Sequence, residues 1–377
     1  MIEWLGLDFK LPITDPTWIF FLVLVIILFA PLLLSKLRIP HVIGLILAGL
    51  LVGEHGFNLL ERDSSFELFG KVGIYYIMFL AGLEMDMGNF ARYGKRGSVF
   101  GLLTFIIPFV IGLAIGVHVL HYSLLTSMLL ACIFSSHTLV SYPIVGRYGV
   151  EKHESVVYSI VATAIASFAA LLILAGIVGA QEHETNVWFW IGFVLKFVLY
   201  GLFVILCFPY IGRKFFRRYN DNVMQYIFVL AMVFFSAALA ELAGLEGLLG
   251  AFLAGLVLNR LIPKVSPLMN RIEFVGNALF IPYFLIGVGM IINIELLFTG
   301  AETLWVVLIM VLTATITKWL PAFTMQKLFG MNGSSRRMMF GLTNAHAAGA
   351  LAMVMIGTQI EIAPGEYLMS DVVLNGT

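Results

Sequence analysis

Apolar stretches of about 20 residues recur along the whole 377-residue chain, and that recurrence leaves it few possible folds. A hydrocarbon core about 30 Å thick demands that length of a helix, which satisfies its own backbone hydrogen bonds where lipid offers no partners. The stretches lie near 17–35, 39–53, 66–83, 97–117, 123–146, 154–180, 187–211, 223–243, 246–262, 272–292, 301–328 and 334–358, twelve segments in all. The closing "MSDVVLNGT" reads as the start of a thirteenth. A β-barrel would show short alternating segments instead. The chain is 60% hydrophobic and only 12% charged, whereas soluble domains run near a quarter charged. The expected fold is therefore an all-α polytopic membrane protein. The zero net charge gives no footprint for nucleic acid. No phosphate loop, metal cluster or nucleophile elbow is present, so neither an enzyme nor a cofactor is expected. Cys132 and Cys207 sit inside apolar segments without metal-ligand spacing. The first residues, "MIEWLGLDFKLPITDP", lack the basic n-region of a cleaved signal peptide.

Basic residues orient the segments. Odd-numbered connections hold Lys36 and Arg38; Arg92, Lys95 and Arg96; Arg147 and Lys152; Arg213, Lys214, Arg217 and Arg218; Arg260, Lys264 and Arg271; Lys327, Arg336 and Arg337. Even-numbered connections hold only Arg62. The positive-inside rule puts the odd connections in the cytoplasm and the N-terminus outside, in a multi-pass plasma (inner) membrane protein.

The chain also repeats itself. "GLILAGLLVG" from Gly44 matches "GAFLAGLVLN" from Gly250, 206 residues on, and "FLAGLEM" from Phe79 matches "FLIGVGM" from Phe284, 205 on. Two polar runs, "FSSHTLVSYP" and "TNAHAAGALA", centre on His137 and His346, 209 apart. Partners lie seven segments apart. Seven is odd, so partners cross the membrane in opposite directions, as in the inverted-repeat secondary transporters. Residues 17–180 and 223–377 would be the two repeats, with 187–211 as a linker helix. In such folds one helix of each half breaks near the midplane, and its freed backbone groups need polar partners. Ser135, Ser136 and Thr138, with Thr343 and Asn344, are candidates for that role. The alternative is two unbroken helices whose small polar residues allow close packing.

"SSHTLVSYPIV", "FLAGLEMD", "AELAGLEGLLGAFLAGLVLNR" and "GLTNAHAAGALA" together resemble the membrane domain of bacterial sodium (or potassium)/proton exchangers of the second cation:proton antiporter group. The resemblance covers nearly the whole chain. It implies an inverted-repeat antiporter fold of thirteen helices with two broken, crossing helices. It further implies a homodimer and an elevator-like motion of a core against a scaffold. Segments 66–83, 97–117, 123–146, 154–180, 272–292, 301–328 and 334–358 would form the core and the remainder the scaffold. The implied substrates are sodium or potassium ions and protons, and a cytoplasmic regulatory domain often follows beyond Thr377. The family's transport Asp, near the middle of the sixth helix, binds cation or proton but not both. Aligning "AALLILA" puts Ala166 and Ser167 where that pair belongs, and no Asp or Glu occurs between Glu154 and Glu182. A serine hydroxyl ligates an ion weakly and does not titrate in the accessible range.

The candidate ion-binding residues are accordingly Ser167, Thr163, Ser136, His137, Thr138, Asn344, His346 and Lys318. Lys318 lies deep in its segment, where a lysine costs about 2.5–3.5 kcal/mol on insertion scales. The resemblance matches it to a basic residue that pairs with the missing Asp. Here it would be neutral, snorkel to the cytoplasmic end, or take another partner, as an anion site or a built-in cation. His137 and His346 either titrate in place of the acid or are hydrogen-bonded structural residues. Glu84 and Asp86 form a cytoplasmic acidic cluster, a funnel or pH sensor if not a solvated helix end. Three functions follow: proton-coupled monovalent cation exchange, a non-transporting sensor or regulatory relative, and an anion symporter or facilitator.

Overall fold

The computed structural model describes residues 11–36, 41–84, 87–137, 145, 149–150, 153–182, 187–245, 247–293, 301–344, 346, 348–363 and 366–367. Thirteen helices occur among them. They are α1 (Pro16–Ser35), α2 (His41–Val52), α3 (Ser64–Glu84), α4 (Met87–His118), α5 (Leu124–Ser135), α6 (Glu154–Glu182) and α7 (Val187–Arg218). There follow α8 (Asn222–Leu242), α9 (Gly247–Leu258), α10 (Pro267–Ile291), α11 (Ala301–Phe329), α12 (Gly333–Thr343) and α13 (Ala348–Gln359). Eight are long and apolar enough to cross a membrane. One turn of α10, Gly276–Phe280, is wound as a π-helix. A short antiparallel hairpin pairs Glu361–Ala363 with Glu366–Tyr367. The proposed thirteenth segment lies outside the described residues.

Each of the twelve apolar segments contains a helix among its described residues, and side-chain caps start several of the helices. Asp15 accepts from the Thr17 and Trp18 amides at 3.0 and 3.1 Å, just ahead of Pro16. Asp63, Asp221 and Asn332 accept from the amides of Phe66, Met224 and Ser335 at 2.7–2.8 Å. Helices α4 and α7 reach 32 residues each, longer than their apolar runs. At 1.5 Å per residue they exceed the hydrocarbon thickness, so their basic ends, Lys95–Arg96 and Arg213–Arg218, continue the helix beyond it. Hydropathy falls where charge begins, but backbone hydrogen bonding carries on.

The chain packs as two compact units, 1–77 with 272–304 and 78–271 with 305–377. In the first, α2 lies against α10 so closely that a Cβ at Gly49 would collide with the Ile286 carbonyl oxygen. A Cβ at Gly289 would meet the Ile46 carbonyl and the Leu50 amide. Tyr76 donates its hydroxyl to the Ile272 carbonyl at 2.8 Å. In the second unit α9 meets the last turns of α3 in the same way. Gly255 faces the Phe79 carbonyl, and Gly82 faces the Phe252 carbonyl and the Leu256 amide.

These two sets of contacts are one arrangement made twice. Ile46, Gly49 and Leu50 correspond to Phe252, Gly255 and Leu256, each 206 residues on, the register seen in the sequence. On the other helix the contacts pair Phe79 with Ile286 and Gly82 with Gly289, 207 apart. The motif match had placed Phe79 on Phe284, two residues away. The motif is dominated by Phe and Met, which fill space, whereas the register is set by the glycine that lets two backbones touch. Within the first unit Gly73 abuts the Phe280 carbonyl. A 207-residue step carries one onto the other, so that contact is its own counterpart.

Candidate functional site

The second unit holds a helix break built on α4, α5 and α11. α5 stops at Ser135, inside the polar run that interrupts segment 123–146. Ser136 is extended (φ −67°, ψ 145°), and its amide closes the last turn on the Cys132 carbonyl at 2.8 Å. The Ser135 hydroxyl donates to the Ala131 carbonyl at 2.7 Å and lies 3.0 Å from the Phe105 carbonyl, tying the end of α5 to α4. The counterpart break separates α12 from α13. The Asn344 amide caps α12 on the Phe340 carbonyl at 2.9 Å, and the chain becomes helical again at Ala348. His346, in that break, donates from Nδ1 to the Ile133 carbonyl at 3.1 Å, and α13 packs against α5. The two polar runs therefore meet, as the inverted repeat required.

Lys318 is fully buried and neither snorkels nor stands alone. Its Nζ donates to the Ser135 carbonyl at 2.6 Å and the Thr104 carbonyl at 3.1 Å, and lies 3.2 Å from His137 Nδ1. The two carbonyls accept from Nζ, and the direction of the third contact follows the tautomer of His137, whose Nδ1 also lies 3.4 Å from the Ser135 carbonyl. A buried ammonium costs several kcal/mol of desolvation. Charge-assisted hydrogen bonds of about 1.5–3 kcal/mol each offset that cost. So does the negative end of the α5 dipole, where the Ser135 carbonyl sits.

Both carbonyls are free for a reason written in the chain. In an unbroken helix the Thr104 carbonyl would bond the amide of residue 108, but that residue is proline, inside α4. The Ser135 carbonyl loses its helical partner because α5 ends there. Thr104 was not among the residues singled out from the sequence, although the four-residue spacing to Pro108 marks it. The hydroxyl of Thr104, Nε2 of both histidines and Oδ1 of Asn344 are buried with no hydrogen-bond partner among the described residues.

The remaining predicted residues lie on α6 or at the end of α3. Thr163 is buried and turns its hydroxyl back to the Ser159 carbonyl at 2.8 Å, as Ser159 does to Ser155. Ser167, one turn further, is half-buried. No hydrogen bond joins Ser167 to the Lys318 cluster among the described residues. Glu84 ends α3, with its side chain outside the described set, and Asp86 and Thr138 lie outside the described residues altogether.

The family model for the sodium/hydrogen exchanger, transmembrane, matches residues 24–372. The chain belongs to this family. Relatives of the chain include the Na(+)/H(+) antiporter NhaS5 of Synechocystis, 35% identical over 98% of the chain and 53% of that protein. Another is the probable Na(+)/H(+) antiporter 3 of Methanocaldococcus jannaschii, 28% identical over 95% of the chain and 92% of that protein. The chain thus spans about half the length of the cyanobacterial relative and nearly all of the archaeal one. Among solved structures, the sodium proton antiporter MjNhaP1 of Methanocaldococcus jannaschii at pH 8 superposes with a TM-score of 0.66 at 16% identity, covering 94% of this chain and 90% of that one. An electron-microscopy map of the same antiporter gives 0.73 at 14% identity, over 96% and 93%. The chain thus has the antiporter fold with inverted repeats, all-helical apart from the short hairpin among the described residues.

Proposed function

We propose that this protein moves a monovalent cation, sodium or potassium, across the plasma membrane in exchange for protons. The observation that carries the reading is the meeting of two broken helices around a buried lysine held by two unwound-helix carbonyls, in a chain of the sodium/hydrogen exchanger family. Unwound carbonyls and half-helix ends at mid-bilayer are the groups that coordinate cations in inverted-repeat transporters. The motion belonging to this reading is an elevator-like shift of the core segments 66–83, 97–117, 123–146, 154–180, 272–292, 301–328 and 334–358 against the rest, in a homodimer. A cytoplasmic regulatory domain beyond Thr377 is part of the same proposal and rests on family resemblance.

Ser167 favours a second reading, a relative that no longer couples the two ions, because no acid lies between Glu154 and Glu182 at the ends of α6. An anion carrier is less well supported, since Lys318 already donates to two carbonyls. The deciding experiment uses purified protein in liposomes with a trapped pH-sensitive dye, challenged with sodium, potassium or lithium. Exchange predicts cation-driven dequenching by the wild type. Silence in the wild type with activity in Ser167→Asp would instead establish the uncoupled relative.

A further inference from the structure

α3 and α10 are counterparts in the inverted duplication, and the contact of Gly73 with the Phe280 carbonyl is its own counterpart. At that point the two helices are wound differently. α3 is a regular α-helix throughout Ser64–Glu84. α10 widens to a π-turn over Gly276–Phe280, in which the Ile281 amide bonds the Gly276 carbonyl five residues back. The cause is written in the sequence. Pro282 has no N–H, and in a regular helix its ring would press on the carbonyl of Ala278. Gly276 and Asn277 are weak helix formers. The 207-residue register puts Tyr75 opposite Pro282, and α3 contains no proline.

Tyr76 of α3 lies across the wide turn and is buried. Its hydroxyl donates to the Ile272 carbonyl at 2.8 Å, one turn before it. Its ring stacks on Phe280 at 5.7 Å and 27°. The same ring fills the space over Gly276, where an added Cβ would come within 2.5 Å of its Cε1. One side chain thus touches α10 before the turn, at its first residue and at its last. Beyond the turn α10 is fixed to α2 by the backbone contacts at Gly49 and Gly289. π-turns are rare, and they frequently mark functional sites and helix bends. An exact inverted duplication would face both sides of a membrane alike, so access from one side at a time requires the halves to differ.

We propose that the π-turn is a hinge in α10, latched by Tyr76. When the bond to Ile272 opens, the part of α10 before the turn bends, while the part beyond it stays on α2 and α3 stays straight. The hinge supplies the inequality between repeats at the contact they share. It goes beyond the exchange reading, and its mechanics do not depend on which ion moves.

The test is hydrogen exchange on the full chain in detergent, read by mass spectrometry. Tyr76→Phe keeps the ring and removes the hydroxyl. It should speed exchange of the amides of residues 276–281 about two- to tenfold, the effect of one lost hydrogen bond, and leave α2 unchanged. Tyr200→Phe breaks a comparable buried tyrosine bond to Ser236 and should leave residues 276–281 unchanged. Pro282→Ala supplies the missing N–H and lets α10 wind regularly. In that background Tyr76→Phe should no longer accelerate the turn. If Pro282→Ala does not purify, deletion of Ala278, which removes the extra residue of the wide turn, takes its place with the same expectation. Acceleration that persists in the regular-helix background, or spreads through α2, is a packing loss and overturns the hinge. No acceleration by Tyr76→Phe in the native background overturns it as well. The liposome assay separates the two readings. The expected hydrogen-exchange pattern beside a silent wild type leaves the hinge standing without ion exchange. An active wild type lacking that pattern leaves ion exchange standing without the hinge.

Discussion

Four glycines hold two helix pairs at backbone contact, and their replacement is costly because the obstacle is main chain. A methyl at Gly49, Gly289, Gly82 or Gly255 meets a carbonyl oxygen that cannot rotate away. Each Gly→Ala change should cost about 1–3 kcal/mol by overpacking, read as a lower melting temperature in detergent. The counterparts Gly49 and Gly255 should lose similar amounts, since their contacts match. Gly192 and Gly201 have nothing within 4 Å of an added Cβ, so alanine there should be neutral or stabilising by up to about 1 kcal/mol. Equal losses at all six positions would refute the backbone-contact account. At the same scale, the run Ser-Ser-His was legible as a break because hydroxyls in hydrocarbon need a reason. What it did not reveal was that the Ser135 backbone carbonyl, rather than the side chains, would hold the lysine. Side-chain chemistry is written in the sequence, while a main-chain group is the same at every position until the fold frees it.

Between elements, His346 is the link from the second break to α5. Its Nδ1–H···O=C bond to Ile133 has a length of 3.1 Å and sits in low dielectric. His346→Ala should weaken that docking by about 0.5–1.5 kcal/mol. Hydrogen exchange should then accelerate several-fold in the last turn of α5 and the first of α13, while α8 keeps its protection. Unchanged exchange in α5 would show that packing alone joins the breaks. Helix positions were readable throughout, because a 20-residue apolar run in lipid has one way to satisfy its backbone. The full extents of α4 and α7 were not, since a polar helical extension carries no hydropathy signal.

At the scale of the whole molecule the charge asymmetry predicts a topology. Asn220, after the basic end of α7, and His55, between α2 and α3, are both exposed and should lie on opposite sides of the membrane. In intact cells an impermeant maleimide should label His55→Cys and spare Asn220→Cys until the membrane is opened. The reverse pattern would invert the orientation. Arg62, the basic residue on the acidic side, is half-buried and lies 3.7 Å from Glu67, so its charge is partly offset locally. Burial pulls its guanidinium below the usual arginine range, the first effect, against the raising influence of Glu67.

The sequence alone determined the membrane environment, the twelve segments, the inverted duplication and the absence of any acid between Glu154 and Glu182. All of these are carried by residue type and spacing along one dimension. Tertiary structure alone decided the partners of Lys318, the meeting of His346 with α5, and the 207-residue register of the second helix pair. The physical reason is that those outcomes depend on which backbone groups are left unpaired and which surfaces lack a Cβ. Both become defined only when helices distant in the chain come into contact.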